Sequence, residues 1–268
     1  MPDVYSIITE LDAEVVAQLA TAMEVSAADP QHRAMVDSYL ARLDPPSGAR
    51  VVEIGCGTGA IARMIAARSD VGEVVGTDPS RILIERARQL SEGFANLSFE
   101  EADGAALPLP DGSFDVAVIH RVLSHAPAPA RLLDEAFRLL RAGGRLAVFD
   151  GDYSTITLAT GENDPLQVCV AAMISAFVND PWVVRRLPPM VTAAGFADPR
   201  MESHGFVQVA DAQYMVSIAE RGADALQASG RIGRELADAL KREARRRVED
   251  GSFFGHIAYG SLVAGKPA

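Results

Sequence analysis

The chain's 268 residues suffice for one large domain with a substantial core. With 36 acidic against 25 basic side chains the formal net charge is −11, which argues against a nucleic-acid partner because phosphate binding draws on a basic surface. Cys56 and Cys169 are too few for a disulfide framework or a zinc cluster, so no metal site is expected. Met1 to Tyr5 lack a cationic and apolar leader and no run reaches membrane-spanning length, which together with reduced thiols predicts a cytoplasmic chain without membrane insertion.

Residues 1–46 read as a helical lid. Thr9 and Asp12 form a capping-box pair ahead of Val15, Val16, Leu19 and Met23, and Asp29-Pro30 caps and starts a second helix carrying Met35, Val36, Tyr39, Leu40 and Leu43. Asp44-Pro45-Pro46 stops it. Tyr5, Ile7 and Ile8 precede the first capped helix in a polar-poor segment that needs a surface to cover, so the lid is expected to close over a ligand site. Residues 47–268 form the main domain. Strands are predicted near 50–54, 73–77, 97–101, 114–119 and 145–149, with helices near 59–68, 80–90 and 130–140, an alternation that argues for a parallel sheet covered on both faces. Cap helices follow at about 160–195 and 211–250, with a strand over 200–209 between them and a last strand at Phe253–Ala264. The basic run Lys241 to Arg247 alternates with acids on a solvated helix face.

The chemistry gathers at the run from Val51 to Ala62, VVEIGCGTGAIA, which joins a buried strand to a helix through Gly55, Gly57 and Gly59. Glycine lets the backbone turn sharply and approach a ligand closely, and the helix that follows offers free N–H groups to an anion. About 20 residues further on, Val74-Val75-Gly76-Thr77-Asp78 is a second strand ending in a carboxylate, where an α/β sheet holds ribose hydroxyls, and a third strand ends at Asp103. Cys56 is a packing residue of the loop.

Over about residues 50–150 the chain resembles the class I S-adenosylmethionine-dependent methyltransferases, of the group that includes the ubiquinone and menaquinone C-methyltransferases. Val51 to Ala62 resembles the family's first motif, Leu107 to Val116 (LPLPDGSFDV) its lead-in to the fourth strand, and Leu139 to Leu146 (LLRAGGRL) its entry to the fifth, with Ala142 where proline is usual. The resemblance implies a Rossmann-like seven-stranded sheet of order 3-2-1-4-5-7-6, its last strand antiparallel, with helices on both faces and a helical cap. It implies S-adenosyl-L-methionine as cofactor, held by Glu53, Gly55, Cys56, Gly57, Gly59, Asp78, Pro79, Ala102, Asp103 and His120. The activity implied is methyl transfer to a small, partly hydrophobic molecule in specialised metabolism, with carbon, oxygen and nitrogen acceptors open.

Such a transfer needs an aligned acceptor and a group to take its proton. An antiparallel last strand beside the fifth brings His256 toward Asp152, and these with His120 are the expected catalytic residues. Tyr5, Tyr153 and Phe254 are expected to line the acceptor site. His32, His125 and His204 read as structural, and Trp182 as a buried anchor. A nicotinamide-dependent oxidoreductase is disfavoured because the third glycine arrives one residue early. A non-catalytic cofactor-binding regulator or assembly partner is the alternative, and monomer and homodimer both remain open.

Overall fold

The computed structural model describes residues 3–268, so the Met1-Pro2 end of the expected lid lies outside the described residues. Strand β1 (Ala49–Ile54) is the centre of the sheet, and Val51, Val52 and Ile54 are all buried, as a strand covered on both faces requires. The chain steps outward on one side through β2 (Val71–Asp78) and β3 (Leu97–Glu101), then returns to the other side of β1 with β4 (Phe114–His120) and β5 (Leu140–Thr157). With β6 (Ala197–Gln208) and β7 (Gly255–Gly265) the order is β3-β2-β1-β4-β5-β7-β6, and β7 runs antiparallel to both its neighbours. The reversal of direction at β1/β4 opens a crevice at the carboxyl ends of the strands.

The helices α3 (Ala60–Ala66), α4 (Arg81–Leu90) and α5 (Pro129–Leu139) connect these strands. On one face of the sheet Val116, Val118 and Phe149 pack with Tyr39; on the other Ala117, Ile119 and Val148 pack with Leu133 of α5. Arg138 of α5 holds the loop before β4 through the carbonyls of Leu107 and Leu109, at 3.0 and 2.8 Å.

At the N-terminus a 3-10 turn (Ile8–Glu10) leads into α1 (Ala13–Ala28) and α2 (Pro30–Ala41). The capping box of Thr9 and Asp12 does not form: Thr9 lies in the 3-10 turn, and Asp12 takes the N-cap position without a side-chain bond. Asp29 does cap α2, accepting from the N–H groups of Gln31 and His32 at 2.8 and 3.4 Å. Helix α1 lies over the glycine loop, with Val16 and Ala20 packed on Leu83 of α4 and Glu24 accepting two bonds from Arg63 of α3 at 2.7 and 2.8 Å.

The expected cap at 160–195 divides between the two faces. Helix α6 (Gln167–Phe177) packs on α8 (Gln213–Ala228) so closely that a Cβ on Gly222 would lie 2.0 Å from the Cys169 carbonyl oxygen. Helix α7 (Val183–Ala193) goes to the opposite face, where Val183, Val184, Leu187 and Val191 join the core. Helix α9 (Arg234–Glu249) packs outside α8 and is tied in by Arg247, buried against Asp164 at 2.6 Å. Trp182 is not a buried anchor: it is 48% exposed, with the Arg185 guanidinium 4.6 Å from its ring. No helix of the described residues is long and apolar enough to cross a membrane.

Candidate active site

The crevice deepens into a cavity of about 610 Å³, roofed by α1 and bounded by the ends of β1, β2 and β4 and by α6 and α8. Its size falls within the roughly 300–1,000 Å³ of small-molecule sites. The two ends differ in chemistry.

At the glycine-loop end, Gly55, Gly57 and Gly59 all have positive φ. Gly57 sits under the roof, where a Cβ would come 2.9 Å from the sulfur of Met23 on α1 and push that side chain aside, and its positive φ favours glycine in its own right. Gly59 is the N-cap of α3 and brings no side chain to cap its first turn. Glu53, Asp78 and Asp103 are the carboxylates of this end. Glu53 is 1% exposed and its Oε2 has no hydrogen-bond partner; burial pushes its carboxyl up to about 8. Burial likewise raises Asp78 to about 6, although it accepts from the N–H groups of Gly57 and Ser80, each at 2.9 Å. Asp78 therefore also ties the loop to β2. The Thr58 hydroxyl is a second buried oxygen without a partner. Burial drives the Cys56 thiol well up, so it stays protonated and inert.

The other end is aromatic and basic, lined by Tyr5, His32, His120, Arg121, His125, Tyr153, Tyr214 and Arg221. The Asp3 carboxylate lies 2.7 Å from His125 Nδ1 and also accepts from the backbone N–H groups of Tyr5 and Asn179, both at 2.9 Å. An ionised carboxylate only accepts, so Nδ1 carries the proton and the free lone pair is on Nε2, which faces the Tyr153 hydroxyl at 3.3 Å. A second group is internal. The Tyr39 hydroxyl is 3.0 Å from His120 Nδ1, and His120 Nε2 is 3.3 Å from His32 Nε2, with the His120 ring stacked on Phe149. Burial lowers both imidazoles, His32 to about 3, so this pair is neutral.

Of the residues singled out from sequence, Glu53, Gly55, Cys56, Gly57, Asp78, Pro79, Asp103, His120, Tyr5 and Tyr153 line the cavity. Gly59 shapes the loop from behind it. Ala102 does not reach the cavity: it packs into the core of the far face, its N–H bonded to the Asp78 carbonyl at 3.1 Å.

The expected pair of His256 and Asp152 is not assembled. Strand β5 continues to Thr157, and a register shift after Asp152 places Asp152 opposite Ala258 and Thr157 opposite His256. Asp152 instead accepts from Arg185 of α7 at 2.7 Å and Ser154 at 2.5 Å. Neither it nor His256 lines the cavity, nor does Phe254, which precedes β7. His120 does line it, but both its ring nitrogens face internal partners, which removes it as an available base. An Asp–His pair is present, built from Asp3 and His125. His32 and His125, expected to be structural, are cavity residues, whereas His204 bonds Ser261 at 2.8 Å within the sheet.

Sequence reasoning passed over Arg121, although it directly follows His120 at a strand's carboxyl end, where its φ of 58° turns the chain into the crevice. It also passed over Tyr214, Ser217 and Arg221, whose spacing places them on one face of α8. Asp3 carried no local signal, because its role depends on where the start of the chain docks.

Residues 52–148 match the family model described as a methyltransferase domain. That segment belongs to the methyltransferase-domain family and is of the class I S-adenosylmethionine-dependent kind. It is similar to an uncharacterised 37.1 kDa protein in transposon TN4556 of Streptomyces fradiae, 34% identical over 68% of this chain and 51% of the relative. It is also similar to the 27-O-demethylrifamycin SV methyltransferase of Amycolatopsis mediterranei, 35% identical over 47% of each. The chain spans about half the length of these curated relatives. Among solved structures the YcgJ protein of Bacillus subtilis shares the fold, with a TM-score of 0.62 at 18% identity over 88% of this chain and all of that one. The donor set suits the cofactor of this methyltransferase family. S-adenosylmethionine brings an ammonium group and hydroxyls that donate, and the glycine-loop end presents partnerless acceptors at Glu53 and Thr58.

Proposed function

We propose that this chain transfers the methyl group of S-adenosylmethionine to a small, partly hydrophobic molecule held at the aromatic end of the cavity. The observation that carries the reading is the buried, partnerless Glu53 oxygen beside the glycine loop, since a buried acceptor of this kind is costly unless a ligand donates to it. The cofactor supplies a methyl group already activated by a positive sulfur. Glu53 would accept from its ammonium group, and Asp78 and Asp103 would accept from the ribose hydroxyls and the adenine amine.

His125 takes the acceptor's proton. Its Nε2 lone pair receives the Tyr153 hydroxyl proton as that hydroxyl takes one from the acceptor, and Asp3 fixes the tautomer and stabilises the imidazolium. The segment before α1, together with α1 itself, acts as a lid that excludes water, because Tyr5, Ile8, Leu19 and Met23 form the roof. The 27-O-demethylrifamycin SV methyltransferase likeness supports an acceptor drawn from specialised metabolism.

Calorimetry with S-adenosylmethionine, its demethylated product and NAD, beside transfer of a labelled methyl group to a panel of small acceptors, tests the reading. Micromolar binding of the first two and far weaker binding of NAD is expected. Tight NAD binding without S-adenosylmethionine binding overturns it.

A further inference from the structure

Arg121 stands at the aromatic end of the cavity with an unusual set of neighbours. Its Nη1 donates to the Ser26 hydroxyl at 2.8 Å, while its Nε is buried without a partner. The guanidinium lies over the rings of Tyr214 and Tyr259, 5.7 and 6.0 Å from their centroids. Arg221, which also lines the cavity, bonds only Ser217 one helical turn back, at 3.2 and 3.4 Å. Among the described residues neither arginine forms an ion pair with a carboxylate, whereas the buried Arg247 is neutralised by Asp164 at 2.6 Å.

The carboxylates that line the cavity, Glu53, Asp78 and Asp103, stand at the glycine-loop end, and the nearby Asp3 is already engaged by His125, Tyr5 and Asn179. A second buried polar atom without a partner, Nδ1 of His32, belongs to a residue that lines this end. Where the glycine-loop end has surplus acceptors, this end has surplus donors and two uncompensated positive charges. Burial raises the Tyr5 phenol while Arg221 and Arg121 pull against it, so both cations act on one small volume. A desolvated guanidinium without a counter-charge is costly, and its planar fork matches a carboxylate.

We infer that the aromatic end of the cavity is an anion seat, and that the methyl acceptor is a small aromatic acid whose carboxylate is held by Arg121 and Arg221 while its ring lies among Tyr5, Tyr153, Tyr214 and Phe177. The inference rests on the proposed function in taking this end as the acceptor's. Single-ring and two-ring acids suit the space beside an occupied cofactor end, and amines are excluded by the two cations.

The test is calorimetry on the full chain saturated with S-adenosylhomocysteine, using three probes of one shape: 2-naphthoate, 2-naphthamide and 2-naphthylmethylammonium. The acid should bind about tenfold or more tighter than the amide, as charge-assisted bonds to a guanidinium imply, and the ammonium should not bind. In Arg121→Gln and in Arg221→Gln the acid should come within about threefold of the amide. Arg221→Gln removes only hydrogen bonds within α8 and a contact with the Phe177 ring, so it reads the effect even if Arg121→Gln is poorly folded. Equal binding of acid and amide, no acid binding at millimolar concentration, or retention of the acid preference in the Arg221 variant overturns the inference. Repeating the titrations without S-adenosylhomocysteine separates the readings: failure to bind that molecule counts against the methyltransferase reading, while the acid-to-amide ratio still decides the anion seat.

Discussion

Replacing Glu53 by Gln should raise the stability of the free protein and weaken its hold on the cofactor at once. Burial moves this carboxyl from near 4.5 to about 8, so between those pH values the folded chain keeps a proton that the unfolded chain has lost. For a group raised in this way stability falls as pH rises through that window and is level outside it. Taking 1.36 kcal/mol per tenfold, the contribution lost is about 1.4 kcal/mol at pH 5.5 and about 3.4 kcal/mol at pH 7, so the advantage of the Gln variant should grow by about 2 kcal/mol between them. In thermal unfolding that is a widening of about 4–8 °C in the Tm difference from the parent. Asp78, raised in the same direction, is common to both proteins and cancels. The variant loses a charge-assisted bond to the cofactor ammonium, so S-adenosylhomocysteine should bind about 10–150-fold more weakly at pH 8. Ionisation of Glu53 on binding should also release a proton in the parent near pH 7, seen as a dependence of calorimetric enthalpy on the buffer, and not in the variant. A Tm difference that stays constant with pH, joined to unchanged affinity and equal proton release, would remove Glu53 from the site.

Asp78→Ala should weaken cofactor binding by about 1.5–3 kcal/mol and loosen the glycine loop, whose Gly57 N–H it holds; equal affinity by calorimetry removes it from the site. His125→Ala should lower turnover by about 10²–10⁴ with little change in cofactor affinity, and Asp3→Asn should act in the same direction; turnover within threefold of the parent in both variants refutes the proton-accepting pair. Deleting residues 1–28 should leave a folded chain that has lost transferase activity, since it removes Asp3, Tyr5 and the α1 roof; full activity in the truncated protein rules out the lid.

The sheet order, the glycine loop and the acids that end β1, β2 and β3 were legible because each rests on local pattern: apolar runs, glycine spacing, and a carboxylate where a strand meets the crevice. The proposed proton-accepting group was not. Inferring it required the length of β5, which runs eight residues past the predicted end at Phe149 because Tyr153, Ile156 and Thr157 favour extended backbone and Thr157 pairs with His256 of β7 beyond the register shift. That extension and the shift after Asp152 moved His256 down the ladder, and a cation on α7 took Asp152, which no spacing along the chain reveals. The roof was partly legible, since a polar-poor leader needs a surface. Which of its residues completes a pair depended on a contact spanning 122 residues.

In the proposed reaction, the bond between Asp3 and His125 makes the segment ahead of α1 part of the acceptor end. When the leader is undocked, the imidazole lacks its counter-charge, Tyr5 is missing from the acceptor end, and the roof is open to water. On that proposal, docking of the leader would supply the charge, the wall and the seal together, so that competence and closure would coincide.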